Sequence, residues 1–410
     1  MSTPSPQMQE EVVAIATVLQ SWGYATRIVA PVTRAFRRQL AGTALPVTDF
    51  EGTEEPTPIA RWRAARDLAA ILRRHKPMLL HTHGFHSTIA SLLARRGLSE
   101  HVPVVISPRM LPHLLHSAPV LGLRRLAYAR ALVLSDAIVL PTETQREELL
   151  EVHSAAEEAE IVPYCIPRRT QPPSLDLGRR RKLLGMTASA TLIGCVVDDL
   201  KRRALERFLD AAANLCMEYP SLEFALIGRE VDDSQHHEMV HEHGLLGATV
   251  FVDPHDRFHR AISSLNVLVT PQSGWPSGML ALQALAANVG VIALEGGEVD
   301  EAVGLSPQVT IVPADGTFSL GEGIIRQLGA ASQRMRPVQE ETHESATISS
   351  FLVSREFFDL DESWGRPEHG GEGHREQPSG PDLAASFDPT LSTRALVAVY
   401  QRLLDQAEEA

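Results

Sequence analysis

Cysteine is scarce in this chain, with three in 410 residues. Cys165, Cys195 and Cys216 lie far apart and form no C-x-x-C pair, which speaks against a disulfide framework and a cysteine zinc site and leaves them as reduced core residues. Long apolar runs are also lacking. None approaches the roughly 20 residues that a bilayer crossing needs, and no stretch has the pattern of a signal peptide, so the expectation is a soluble cytoplasmic protein. An excess of positive charge is missing too. The formal net charge of −13 argues against nucleic acid as a partner, because phosphate binding needs basic surface. What is present is apolar material: 44% hydrophobic residues over this length can bury ample core, spread over two or three domains.

That apolar material comes in short runs alternating with helical patterns. Runs at 191–197, 222–228, 249–252, 265–270, 291–294 and 309–312 read as buried strands separated mostly by helices. Such alternation predicts a doubly wound parallel sheet with a ligand crevice at the strand carboxyl ends. The stretch 263–303 holds one full unit: strand, loop Pro271–Pro276, helix, strand. Free backbone N–H groups and a helix dipole converge on that loop and favour an anion such as a nucleotide diphosphate.

The order of residues in this unit resembles the donor-sugar site of retaining glycosyltransferases of family 4, which have the two-domain GT-B fold. The family's P-S-x-x-E-G, L-E-A-M-A-x-G and G-G-x-x-E correspond here to Pro271-Gln272-Ser273-Gly274-Trp275-Pro276, Leu282–Asn288 and Gly296-Gly297-Glu298-Val299-Asp300-Glu301. Trp275 and Gln283 stand at the family's two glutamates. The resemblance implies donor binding by Ser273, Gly274, Gln283, Gly296, Gly297 and Glu301, with Gln283 bonding a ribose hydroxyl. The family's G-R-L-x-x-x-K, whose cations hold the diphosphate, becomes Val196-Val197-Asp198-Asp199-Leu200-Lys201. Lys201 is thus a candidate catalytic cation, with Asp198 at the lost arginine as a source of repulsion. Glu230 replaces a second family glycine.

The amino-terminal part carries the same resemblance. A helix over 8–22 and a strand over 24–30 look like the family's first helix and second strand, while the polar opening MSTPSPQ stands where a first strand and glycine-rich turn belong. Met78–Gly84 resembles D-V-I-H-x-H-G and gives two histidine candidates. His83 is read as the catalytic-side group facing the cleft, and His81 as packing behind it on the acceptor side. Val104–Leu111 resembles the S-P-R-G-M-L loop, in which Arg109 would pair with an anionic acceptor. Thr142 or Thr144 is expected to cap the next helix. An arginine-rich helix beginning at Arg61-Trp62-Arg63 is read as a solvated face, with peripheral contact to an anionic membrane as the other reading.

His237-Glu238-Met239-Val240-His241 matches H-E-x-x-H, which on a helix can bind zinc with the glutamate as general base. Its context is wrong for a zinc hydrolase. The segment lies between two strands of the doubly wound pattern, Gly244 reads as its C-cap, and Gly247 stands at the third histidine.

The expected layout is an acceptor-side domain at 1–166, a linker at 167–178, a nucleotide-sugar-side domain at 179–339, an acidic Gly/Pro-rich insertion at 340–387, and a closing helix at 388–410 that returns to the first domain. The resemblance implies sugar transfer from a nucleotide donor to a glycan or lipid-linked acceptor in envelope or exopolysaccharide assembly. No cofactor or metal is expected. The other reading is a non-catalytic homologue that binds a partner or a glycan.

Overall fold

A computed structural model of the chain describes residues 6–50, 58–108, 121–166, 176–198, 200–229, 231–253, 258–274, 276–303, 306–314, 317–334 and 379–409. Arg109, Trp275, Glu230, most of the 167–178 linker and most of the 340–387 insertion lie outside these.

The second half is organised by six short strands: β7 (Thr191–Val196), β8 (Leu222–Ile227), β9 (Thr249–Val252), β10 (Val267–Thr270), β11 (Gly290–Leu294) and β12 (Val309–Val312). They form one parallel sheet in the order β12-β11-β10-β7-β8-β9, reversing at β7 and β10 as a doubly wound sheet does. Both faces are buried, which is why these strands read as unbroken apolar runs. One face packs beneath α8 (Arg202–Glu218) and α13 (Thr317–Arg334), with Phe208 edge-on to Phe224. The other packs beneath α11 (Ser277–Ala286), which is apolar except at Ser277 and Gln283 and buried over 277–285. α11 ends at Asn288, whose φ of 60° is left-handed, and Val289 N–H returns to Ala284 C=O at 2.8 Å. Asparagine tolerates that backbone and takes the place glycine has in the family motif.

α7 (Leu177–Lys182) begins this domain and buries a cation. The Arg181 guanidinium donates to the Ser264, Ala188 and Ala190 carbonyls and to Asn266 Oδ1, tying together the strand amino ends. α9 (Ser234–Glu242), α10 (Phe258–Ile262) and α12 (Glu298–Val303) complete the layers.

The first half is less continuous. Its four-stranded parallel sheet runs β3 (Leu80–His83), β4 (Val104–Ser107), β5 (Ala137–Leu140) and β6 (Glu160–Ile161). β1 (Ile28–Ala30) and β2 (Val47–Asp49) make a separate parallel pair. Among the described residues no ladder joins β1 to β3. α1 (Pro6–Ser21) covers the β1–β2 pair through Val13 and Ala16 and the larger sheet through Ile15 and Leu19. Helices α2 (Arg34–Gln39), α3 (Pro58–His75), α4 (Phe85–Arg95), α5 (Leu121–Leu134) and α6 (Glu143–Leu150) surround these strands. After β12 and α13 come α14 (Gly380–Ala385) and α15 (Pro389–Glu409). α15 crosses back and packs Leu396, Val399 and Leu403 against Val105, Val139 and α1.

Candidate functional site

The strand carboxyl ends of the second half face α1, α6 and the segment after β6, and the candidate residues gather there. β10 ends at Thr270, and the chain turns through Gly274 at φ 87° into α11. Ser277 Oγ closes that turn on Gln272 C=O at 2.8 Å. β11 ends at Leu294, and Gly296 at φ 70° turns the chain into α12. The two turns touch: a Cβ on Gly297 would lie 3.0 Å from Ser273 Cβ. The two turns therefore meet at one surface on which Ser273 and Gly296 are exposed, while Gly274 and Gly297 are buried.

Lys201 caps the same surface from β7. Its side chain is exposed, and its N–H donates to Gln272 Oε1 at 3.1 Å, fixing one loop to the other. Across the cleft stands Glu148 of α6. Burial raises the carboxyl of Glu148 above its usual range, Glu151 adds to this, and Lys201 opposes it. Asp198 does not confront the crevice as bare charge. Its Oδ1 accepts Arg229 N–H at 3.1 Å and lies 3.8 Å from Arg229 Nε, so a salt bridge between the β7 and β8 ends replaces the expected repulsion.

The remaining donor candidates are engaged across the domain boundary. Gln283 is buried on α11 and donates from Nε2 to Glu10 Oε2 of α1 at 3.1 Å. Burial pushes the Glu10 carboxyl up to about 7 against the pull of that hydrogen bond. Glu301 turns both oxygens to the amino end of α6, accepting Glu143 N–H at 2.6 Å, Thr144 N–H at 2.7 Å and the Thr144 hydroxyl at 2.6 Å. Thr142 caps the same helix through Gln145 N–H. Thr144, the other expected cap, serves the cross-domain bond instead. The cavity over β7 and β10, lined by Asp198, Leu200, Thr270, Gln272, Pro276 and Ser277, leaves room for about one water molecule.

Sequence reasoning missed the centre of this boundary. Glu298 is fully buried and accepts Tyr164 Oη at 2.5 Å and the Gln145 side-chain amide. Burial drives its carboxyl up to about 7, with the two donors acting in the opposite sense. The three acids in the first turn of α12 were the available signal; nothing local marks Tyr164 or Gln145.

The acceptor-side histidines need a correction. His81 and His83 lie on one face of β3, their ring centroids 4.3 Å apart, because residues two apart in a strand point the same way. Thr82 is the one that faces the opposite side. His81 is held by Tyr400 Oη of α15 at 2.5 Å and Ser107 Oγ at 2.8 Å. It lines a second small cavity with Glu11, Pro141 and Ser392. The H-E-x-x-H segment is α9: His237 bonds Asp232 and stacks on Phe251, and Gly244 at φ 71° terminates the helix. Among the described residues no three His, Cys, Asp or Glu side chains are placed to hold a metal ion.

Residues 8–165 match the family model described as the glycosyl transferase 4-like domain. No curated protein sequence matches the chain. Among solved structures, the sucrose-phosphate synthase of Thermosynechococcus elongatus superposes with a TM-score of 0.69 at 15% identity, covering 96% of this chain and 93% of that one. HepE of Anabaena, solved in complex with UDP-glucose, gives 0.61 at 14% identity over 98% and 96% of the two chains. The UDP-GlcNAc 2-epimerase of Neisseria meningitidis, bound to UDP-GlcNAc, gives 0.53 at 15% identity over 78% and 90%. Residues 8–165 are thus similar to a glycosyl transferase 4-like domain, and the chain as a whole has the GT-B fold.

Proposed function

We propose that this chain is a glycosyltransferase that takes a nucleotide-sugar donor, of the UDP class, into the cleft between its domains. The observation that carries the reading is the meeting of two glycine turns, 271–276 and 296–297, at the carboxyl ends of neighbouring parallel strands, with Lys201 beside them. That is where a doubly wound sheet binds ligands, and where a cation offsets charge on a departing diphosphate. HepE, of the same fold, has been solved with UDP-glucose. Transfer with retention to a glycan or lipid-linked acceptor belongs to the same proposal, with Lys201 and His83 on the reacting side and Arg109 on the acceptor side. The solvent face of α3, with Trp62, Arg63, Arg66, Arg73 and Arg74 exposed, supports peripheral contact with an anionic membrane. No helix among the described residues is long and apolar enough to cross one.

Titration calorimetry with UDP- and GDP-sugars tests the donor, followed by a transfer assay. One donor should bind with a dissociation constant of about 0.1–1 mM, weakened because a ribose carboxylate and a diphosphate arginine are both replaced. Lys201→Ala should abolish turnover. A second reading, a non-catalytic homologue that binds a partner, is favoured by one observation: Gln283 and Glu301 are already committed to Glu10 and to α6. Silence with every donor at millimolar concentration selects it.

A further inference from the structure

Two helix amino ends at the cleft are occupied by carboxylates from elsewhere in the chain, and one short helix supplies both. Glu301 of α12 takes the first two N–H groups of α6, which otherwise have no intrahelical acceptor. Glu298, one turn earlier, accepts the N–H of Gly278 in the first turn of α11, together with Tyr164 and Gln145. Each carboxylate thus stands where a helix dipole and free N–H groups would hold an external anion. The fit around Glu298 is built in. A Cβ at position 278 would lie 2.8 Å from Tyr164 Cε2 and 3.2 Å from Glu298 Oε2, so only glycine admits all three groups. α6 belongs to the first domain and α11 and α12 to the second, so this cluster bridges the cleft.

We propose that α12 is an internal latch whose two carboxylates occupy the amino ends of α6 and α11 in place of a nucleotide diphosphate, holding the cleft closed until a donor displaces them. The identity of the displacing ligand rests on the donor reading above; the closure does not. The electrostatic surroundings agree with it. Glu298 is faced by Glu148 from α6, and Glu148 in turn by Lys201 from the start of α8; Asp300 and Glu301 share its helix; Glu10 and Gln283 form the neighbouring bridge. Glu298, with its carboxyl raised to about 7, is largely neutral in mildly acid solution. Rising pH charges it beside Glu148 and loosens the latch.

Hydrogen exchange on the full chain reads the latch at the amides of Glu143 and Thr144, with the interior of α8 as the reference. Glu301→Ala should cut their protection about tenfold while α8 is unmoved. Glu301→Gln, which keeps one accepting oxygen, should give a smaller loss. In the wild type the same protection, corrected for intrinsic rates, should fall as pH rises from 4.5 to about 7, the usual and the raised values of the Glu298 and Glu10 carboxyls. A Glu298→Gln, Glu10→Gln double variant should lose that pH response. Unchanged protection in Glu301→Ala, or a pH response that survives in the double variant, overturns the latch. UDP then tests displacement. It should deprotect Glu143 and Thr144 and bind about tenfold more tightly to Glu301→Ala than to the wild type. Weaker binding would make Glu301 a donor ligand and defeat displacement. UDP binding to neither protein would remove the donor reading and displacement together, leaving closure to be judged on the exchange data alone.

Discussion

The two halves of this molecule are variations on one plan, and they are held together differently. The second half has an unbroken six-stranded ladder covered on both faces mainly by helices from its own stretch of chain, with Met8 of α1 and Ala384 of α14 joining the core on one face. The first half has four strands in one ladder and two in another, and its apolar residues fall into four smaller clusters. Part of its cover comes from α15, which follows the whole second half in sequence. A continuous parallel sheet can be stable on its own helices, whereas a split one depends on elements that bridge its pieces. Here α1 and α15 are those bridges.

The largest effect that would sharpen this contrast is a core truncation in each half. Phe208→Ala should cost about 3–5 kcal/mol in urea unfolding, because the side chain is fully enclosed beneath the continuous sheet. Phe36→Ala, in the small β1–β2 cluster, should chiefly raise local exchange at β1 and β2. Equal global losses from the two would break the comparison. Next in size is a pH effect at the seam between the halves. The Glu298 carboxyl titrates near 7 when folded and near 4.5 when unfolded, so between those values the native state binds more protons. Stability should fall as pH rises through that window, by up to about 3 kcal/mol. Glu298→Gln should flatten that slope; an identical slope in the variant would exclude Glu298 as its source. The smallest effect is within the first half alone. Thr142→Ala removes the cap on Gln145 N–H and should cost about 1 kcal/mol, measurable as a lower denaturation midpoint.

Legibility in the sequence followed the same division. β9 and β12 have the boundaries that their apolar runs predict, and β7, β8, β10 and β11 differ by one or two residues, because strands buried on both faces need no alternation to be seen. β2, three residues long after Pro46, and the six-residue α2 carry too little periodicity to stand out. The frame of the candidate site was visible for a related reason: turns and caps are written in consecutive residues, as at Gly274, Gly296 and Asn288. The occupants of that frame were not. Glu298 meets Tyr164 across 134 residues and Gln145 across 153, and Gln283 meets Glu10 across 273. No local pattern encodes such pairings. The histidines of β3 show the opposite case, where the strand period of two dictates a shared face.

The bond between His81 and Tyr400 has a consequence for how the protein is made. It joins β3 to α15 across 319 residues, and α1 packs on the same helix. Closing a flexible loop of that length costs about 5 kcal/mol of chain entropy, a cost much reduced once the intervening domain has folded and brought the two ends near each other. On the ribosome the order of synthesis and the order of completion are therefore reversed. The first half waits, with one face of its sheet uncovered, for a helix translated after the whole second half, and during that interval its exposed apolar face is a natural chaperone target.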